Sequence, residues 1–292
     1  MELVYRITIV IILLVILISF KSTYAYEGSS SLYKGLELEV KAWASKLTGS
    51  TSFDPNASYL TQRGTEFSSP NTFDLEDVYG FGGTKTSLQI NLRKEINEKS
   101  FGYISYFTDS RKSQVNLSSP VAFVWNKPSQ QNDSTPGITY LQSDDNLSTA
   151  VKINIFDIGY GYYIGKKHEK GFVAAVIGLR FNNLAVDWTY TGSINGSDIY
   201  RKRGASGFIG IEGRYNLSNN VNSYLKVNGG VVGGSGNRVG TFEYEVGTNL
   251  KLTNSLHLEL GYKYADIRAR EDIGSKLSLK LQGINGGLVF KF

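Results

Sequence analysis

The feature that most constrains this chain is an alternation of apolar and polar side chains along ten long segments. Hydrophobic residues recur at every second position over most of these segments, and each segment has at least 12 residues. A period of two is typical of a β-strand with one apolar and one polar face. The ten segments are 35–47, 84–96, 101–112, 151–164, 172–186, 205–217, 221–232, 241–252, 256–268 and 276–292. The sequence therefore predicts an all-β chain.

The length of these segments indicates where the sheet lies. Strands of soluble proteins usually have about 5–6 residues, whereas a tilted strand needs roughly 9–11 residues to cross a bilayer. Because hydrocarbon cannot satisfy free backbone groups, such a sheet must close on itself. We therefore predict that residues 26–292 form one transmembrane antiparallel up-and-down β-barrel of about ten strands, with apolar side chains toward lipid. The alternative is a soluble barrel with ordinary strand aromatics.

Three segments do not follow one simple pattern. The apolar positions of 151–164 change phase after Ile155, and those of 276–292 change phase after Leu281. A β-bulge, or a part of the strand above the bilayer, would account for such a change. Segment 101–112 has aromatic residues on both faces, so its alternation assigns neither face to lipid.

The first 25 residues predict export. An apolar run from Ile7 to Phe20 follows Arg6, and small residues at Thr23 and Ala25 precede a possible cleavage site. This arrangement is typical of a secretory signal peptide, which we assign to residues 1–25. The alternative is an uncleaved membrane anchor, which normally needs about 20 apolar residues.

The connections between the predicted strands differ in length. Long connections at 48–83 and 113–148 and an intermediate one at 189–204 follow odd-numbered strands only. Outer-membrane barrels have short periplasmic turns and longer external loops. We therefore expect both termini in the periplasm and the long loops outside. The two long loops are acidic, and we expect them to be mobile and accessible to proteases.

The last strand carries a resemblance to a known group of proteins. Its ending, Leu288-x-Phe290-x-Phe292, resembles the C-terminal assembly signal of Gram-negative outer-membrane β-barrel proteins. The resemblance implies insertion by the barrel-assembly machinery and a location in the bacterial outer membrane.

The size and strand number also resemble the omptin surface proteases. That family uses acidic residues and a histidine at the external rim. Here His168 lies in a short turn and His257 lies near the start of the ninth strand, so both fall on the predicted periplasmic side. The chain therefore lacks the external-rim histidine that the omptin proteases use.

The polar face of the strands carries many charges of both signs. We predict that these charges face the lumen and pair there. In a barrel of about eight strands, side chains alone fill the interior. Because ten strands are close to that number, we expect the lumen to be closed or nearly closed. A narrow channel is the alternative. The predicted lumen charge network comprises Glu37, Glu39, Lys41, Lys85, Arg93, Asp157, Arg180, Glu212, Arg214, Lys226, Glu243, Glu245, Lys251, Glu259, Lys263 and Lys280.

Two charged clusters lie outside the strand pattern. Asp74, Glu76 and Asp77 are a possible cation site, because carboxylate oxygens suit Ca²⁺, or they keep a loop soluble. The run from Arg201 through Lys202 to Arg203 ends the third loop. These three residues are possible contacts for lipopolysaccharide phosphates, or a solvated charge run.

Composition limits the remaining chemistry. The chain has no Cys and two His, which excludes thiolate metal sites and disfavours zinc, so we expect no cofactor. Its net charge of +5 is dispersed along the strands and gives no nucleic-acid signal. We predict an outer-membrane protein with a structural or surface-interaction role in contact with lipid and lipopolysaccharide, and not an enzyme. The alternatives are a narrow, porin-like channel for small solutes and a surface enzyme that uses carboxylates alone.

Overall fold

Long β-strands make up most of the residues that the structure describes. The computed structural model describes residues 34–52, 72–118, 121–125, 137–165, 170–193, 195–234, 237–270 and 276–292. The strands are β1 (Leu36–Ser52), β2 (Thr72–Asp74), β3 (Thr84–Asn97), β4 (Ser100–Asn116), β5 (Val121–Trp125), β6 (Gly137–Leu141), β7 (Asn146–Tyr163), β8 (Gly171–Thr191), β9 (Gly196–Asn216), β10 (Val221–Gly234), β11 (Asn237–Lys251), β12 (Leu256–Arg270) and β13 (Lys276–Lys291). Within these residues, no helix is long and apolar enough to span a membrane.

Ten of these strands form one closed antiparallel sheet. Its order is β13-β12-β11-β10-β9-β8-β7-β4-β3-β1, and β13 pairs again with β1. The predicted ten-stranded up-and-down barrel is therefore confirmed. β2 extends the sheet beside β1, and β5 and β6 form a separate two-stranded sheet. The predicted signal peptide, residues 1–25, lies outside the described residues.

The two ends of the barrel differ. At the turn end, short connections join β3 to β4, β7 to β8, β9 to β10 and β11 to β12. At the loop end, the chain makes its long excursions between β1 and β3 and between β4 and β7. The terminal residue closes the seam at the turn end, where the Gly35 amide donates to the Phe292 carbonyl at 3.1 Å and the Phe292 amide donates to the Leu36 carbonyl at 3.0 Å.

The outer wall of the barrel is apolar. Ile177, Ile209, Val231 and Ile284 expose 61–71% of their surface, which in a monomeric soluble protein would be costly along so many neighbouring strands. From the alternation we expect these four side chains to point outward. The antiparallel ladders place them on the same side of the sheet. The outer wall is therefore suited to contact hydrocarbon.

The change of phase in β7 and β13 is not caused by a β-bulge. Neither ladder of β7 nor that of β13 shifts register, so each strand keeps one face inward along its whole length. Ile153 and Ile155 are 2% and 5% exposed, and Leu281 is fully buried, because the apolar residues in these halves fill the lumen. The sequence changes phase where the lumen changes from polar to apolar.

The prediction of an intermediate-length loop at 189–204 is wrong. β8 continues to Thr191 and β9 begins at Gly196, so only four residues connect them instead of the 16 of 189–204. The two strands are each 21 residues long and pair from Tyr190 to Gly171. This hairpin extends farther at the loop end than the hydrocarbon of a bilayer requires.

Candidate functional site

The loop-end half of the lumen is filled by hydrophobic side chains, which we call the apolar layer. Leu47, Leu147 and Leu281 have no exposed surface there, and Trp43 has 1%. Close packing of this kind leaves few voids as large as a water molecule. The described members are Trp43, Leu47, Leu75, Tyr79, Phe81, Phe107, Leu117, Leu141, Leu147, Val151, Ile153, Ile155, Leu184, Val186, Tyr190, Val239, Ala265, Ile267, Ala269, Leu279 and Leu281.

Part of the first long loop belongs to this layer. Leu75, Tyr79 and Phe81 are 1–4% exposed and pack against the barrel interior. The Leu75 amide donates to the Gly49 carbonyl at 2.9 Å, which ties the segment to β1. The expectation that 48–83 is mobile throughout is therefore wrong for Leu75–Phe81, because its hydrophobic side chains cap the lumen.

A small polar cluster lies inside the apolar layer. Arg111 donates to Asp109 at 2.7 Å and to the Ser45 hydroxyl at 2.6 Å, and the Ser87 hydroxyl donates to Asp109 at 2.7 Å. Arg111 and Asp109 are 3% and 1% exposed. Sequence reasoning missed this pair because the aromatic residues of 101–112 hid which face points inward.

The turn-end half of the lumen, which we call the charged layer, is built around Lys41. Its ammonium ion-pairs with Glu39, Glu245 and Glu259, at 2.5 Å for Glu245. Lys41 is 1% exposed, so these partners replace the water that a lysine normally keeps. Tyr224 and Asn285 also donate to Glu245, at 2.8 and 2.9 Å.

A second cation, Arg180, crosses the lumen beside this group. Its Nε and Nη2 donate to the two oxygens of Asp157 at 2.8 and 2.7 Å, a bidentate geometry that favours arginine. Its Nη1 lies 2.8 Å from Glu243. Lys263 lies 3.5 Å from Glu243 and donates to Gln89 at 2.9 Å.

A third group lies nearest the turn end. Arg93 donates to Glu212 at 2.7 Å and to the Tyr163 hydroxyl at 2.8 Å, and its guanidinium lies 3.4 Å from the ring centre of Phe101. Lys291 lies 3.5 Å from Glu37. The charged layer is therefore a set of ion pairs bridging strands that are distant in sequence.

Most of the predicted lumen charges lie in this layer. Glu37, Glu39, Lys41, Arg93, Asp157, Arg180, Glu212, Arg214, Lys226, Glu243, Glu245, Glu259 and Lys263 all face inward and line the cavity or make the ion pairs there. Lys85 and Lys251 are instead exposed at opposite barrel ends. Lys280 points outward, because Leu279 and Leu281 take the inward positions beside it.

Inward-facing glycines make room for aromatic rings in the charged layer. A Cβ on Gly161 would lie 2.1 Å from the Phe101 ring, and one on Gly159 would lie 2.3 Å from the Tyr103 ring. Tyr224 covers two such glycines on the opposite wall. With these rings in place, the charged layer retains a cavity of about 120 Å³.

The other predicted sites are not assembled as expected. Glu76 ion-pairs with Lys46, and among the described residues no three His, Cys, Asp or Glu side chains form a metal-ligand group, so Asp74, Glu76 and Asp77 are not one. His257 is 6% exposed and hydrogen-bonds Asn249 at 2.9 Å. His168 lies outside the described residues.

The predicted lipopolysaccharide contacts lie within β9 and not at the end of a loop. Arg201 and Arg203 are exposed, and the strand alternation places Lys202 on the other face, half-buried. The assignment of all three to a loop is wrong, because β8 and β9 continue past the point where the sequence pattern becomes polar.

The second and third loop-end connections are held together by Asp145. The Ser193 hydroxyl and amide donate to its carboxylate at 2.6 and 2.7 Å, and the Gln142 amide donates at 2.8 Å. These hydrogen bonds hold the pKa of Asp145 below its usual value. Two loops that are separate in sequence therefore form one surface at the loop end.

Comparison with known proteins identifies the fold. No family model matches the chain, and no curated protein sequence matches it. Among solved structures, the outer-membrane protease OmpT from Escherichia coli superposes with a TM-score of 0.52 at 11% identity, over 88% of this chain and 96% of that one. The translocator domain of the autotransporter NalP from Neisseria meningitidis gives a TM-score of 0.41 at 11% identity, over 89% of each chain. The fold is that of the outer-membrane β-barrels.

Proposed function

We propose that this protein is a closed-lumen barrel of the bacterial outer membrane that acts through the surface at its loop end. The observation that carries the proposal is the apolar layer. Among the described residues, Leu47, Leu147 and Leu281 have no water-accessible surface, which supports a lumen that is closed at this layer. A polar solute that crossed this layer would lose its hydration among apolar side chains, because Arg111 and Asp109, the charged pair within the layer, already bind each other.

The charged layer supports the same conclusion. Lys41, Arg180 and Lys263 are each at most 6% exposed at the side chain and already contact carboxylates. Charges that conduct ions must remain available to a passing solute, whereas charges paired in this way hold the strands together. The layer is a structural network in this proposal.

The loop end contains structure that is not needed to close a transmembrane barrel. β5 and β6 form a hairpin of their own, and β8 and β9 extend well past the length needed to cross hydrocarbon. A two-stranded hairpin is marginally stable in water, and apart from Leu141 at its base β5 and β6 have no described member in the apolar layer, so a binding partner would stabilise them. We therefore place the interaction surface at β5, β6 and the β8–β9 hairpin.

Conductance tests the closed lumen. In planar bilayers the purified protein should give no discrete current steps under conditions in which a general porin does. Steps of reproducible size would support the narrow channel instead and contradict the proposal.

Cell adhesion tests the surface role. Intact cells that display the native protein should bind at least one member of a panel of immobilised extracellular-matrix proteins and glycans. Replacing residues 121–140 with a glycine-serine linker keeps Leu141 of the apolar layer and should abolish that binding, whereas replacing the short turn at 166–169 should not. Equal binding by all three, or cleavage of a mixed peptide library by the purified protein, would count against a binding role.

A further inference from the structure

A groove runs across the outer wall of the barrel from β8 to β12. Three outward-facing glycines, Gly207, Gly229 and Gly240, form its floor, because they leave the backbone uncovered where neighbours carry large side chains. In the ladders, Gly207 and Gly240 both pair with Val231, and Gly229 pairs with Ile209. The apolar sides of the groove are Ile177, Leu179, Ile209, Val231 and Phe242. Its volume is about 940 Å³, within the range of about 300–1,000 Å³ typical of small-molecule sites.

The loop-end limit of this groove is charged. Asp266 and Arg268 line it, and Lys280 lies directly across from Asp266 in the β12–β13 ladder. Arg268 donates to Oδ2 of Asp266 through Nε at 3.0 Å and through Nη2 at 2.6 Å. The Arg268 side chain nevertheless remains 72% exposed. A cation is thus held at the end of an apolar groove with most of its surface free to meet an anion.

Asp266 has an unused acceptor at the same place. Its side chain is 6% exposed, and its Oδ1 is buried without a hydrogen-bond partner among the described residues. A buried acceptor that is left unpaired costs stability, and a hydroxyl or amide donor from a ligand would remove that cost. Together with the exposed Arg268, this unpaired oxygen points to a ligand with both anionic and donor groups.

The height of the charged end identifies the membrane region. Arg268 is 12 residues beyond Leu256, the turn-end residue of β12. With about 3.3 Å per residue and the usual strand tilt, it lies roughly 30 Å above the turn end, which is the thickness of the hydrocarbon core. Arg268 therefore lies at the headgroup level of the leaflet on the loop side. In the orientation of the proposed function, that leaflet is the outer one.

We propose that this groove binds one lipopolysaccharide molecule. Its acyl chains lie over Gly207, Gly229 and Gly240, and a phosphate pairs with Arg268 and Lys280. A sugar hydroxyl or amide donates to Oδ1 of Asp266. Burial of apolar surface favours binding of the acyl chains, and charge-assisted hydrogen bonds favour binding of the phosphate. The groove offers both contacts to one molecule.

Two variants remove the two halves of the site separately. Gly207→Leu with Gly240→Leu fills the groove, and neither new side chain meets a heavy atom within 4 Å of its Cβ. Gly102→Leu is the matched control, because Gly102 lies on β4, outside the groove, and its nearest neighbour is 3.7 Å away. Arg268→Gln removes the charge, and Lys152→Gln on β7 is its control, since Lys152 is exposed and does not line the groove.

Native mass spectrometry of the detergent-solubilised full chain measures the bound lipid. Purified lipopolysaccharide or phosphatidylglycerol is titrated onto each variant, and heat-modifiable migration confirms that each is folded. We expect one lipopolysaccharide per barrel and an affinity about tenfold weaker in Arg268→Gln and in the double glycine variant. Both controls should bind like the native protein.

Three results would overturn the proposal. They are unchanged lipopolysaccharide affinity in both site variants, equal loss in the controls, and equal or tighter binding of phosphatidylglycerol by the native protein. Replacing residues 121–140 should leave lipid binding unchanged. Failure of the groove is therefore distinguishable from failure of the surface-interaction role.

Discussion

At the scale of single residues, the interior of the barrel depends on cations that are buried among several acids. Lys41 forms ion pairs with Glu39, Glu245 and Glu259 at the same time. Lys41→Met would leave these carboxylates buried without their shared cation, and we expect a loss of about 3–5 kcal/mol in the free energy of unfolding. Lys251→Met, at an exposed position, should change it by less than about 0.5 kcal/mol. Urea unfolding in lipid vesicles measures both, and similar losses would contradict a central role for Lys41.

The C-terminal residue combines two roles that variants can separate. Its backbone closes the seam through Gly35 and Leu36, and its side chain is the predicted assembly signal. Phe292→Ala keeps both backbone hydrogen bonds, so it should impair assembly in cells while leaving the unfolding free energy of refolded protein nearly unchanged. Deletion of Phe292 should lower both. Normal membrane yield and heat-modifiability of Phe292→Ala would show that the side chain is not the signal.

At the scale of a strand, β13 shows how one sequence pattern serves two environments. Leu281 is fully buried in the apolar layer, whereas Ile284, three residues later, is 68% exposed on the outer wall. Leu281→Ala would leave a cavity and should cost about 2–5 kcal/mol. Ile284→Ala opens no cavity and should cost clearly less. Thermal unfolding in the same detergent compares the two, and equal costs would mean that β13 is turned the other way.

Strand alternation predicted the two faces of each strand, but it did not always predict which face is inward. In β12, charged residues mark the lumen side, and the prediction for Glu259 and Lys263 matches the positions found. In the loop-end halves of β7 and β13, the inward face is apolar and the outward face carries polar residues such as Lys152 and Lys280, so charge points to the wrong face. Lys280 was assigned inward for this reason, although Leu279 and Leu281 occupy the lumen.

At the scale of the whole molecule, every functional proposal depends on which end of the barrel faces outward. The asymmetry of the connections predicts that the loop end faces outward and the turn end faces the periplasm. An epitope tag at Asn132 should therefore be labelled on intact cells, and a tag at Lys167 only after the outer membrane is permeabilised. The reverse labelling would invert the barrel, place both histidines at the cell surface and reopen the enzyme alternative.

The sequence by itself determined the class of fold, because a pleated strand places alternate side chains on opposite faces and lipid tolerates only a closed sheet. Strand number, antiparallel order and the apolar outer wall all follow from that constraint. Only the tertiary structure decided what fills the lumen. Trp43, Ile153 and Leu281 come from strands far apart in sequence, and their shared apolar layer exists because closure brings them together. The pairing of β9, β10 and β11 likewise brings three glycines from separate strands into one groove with Arg268, a juxtaposition that no local pattern contains.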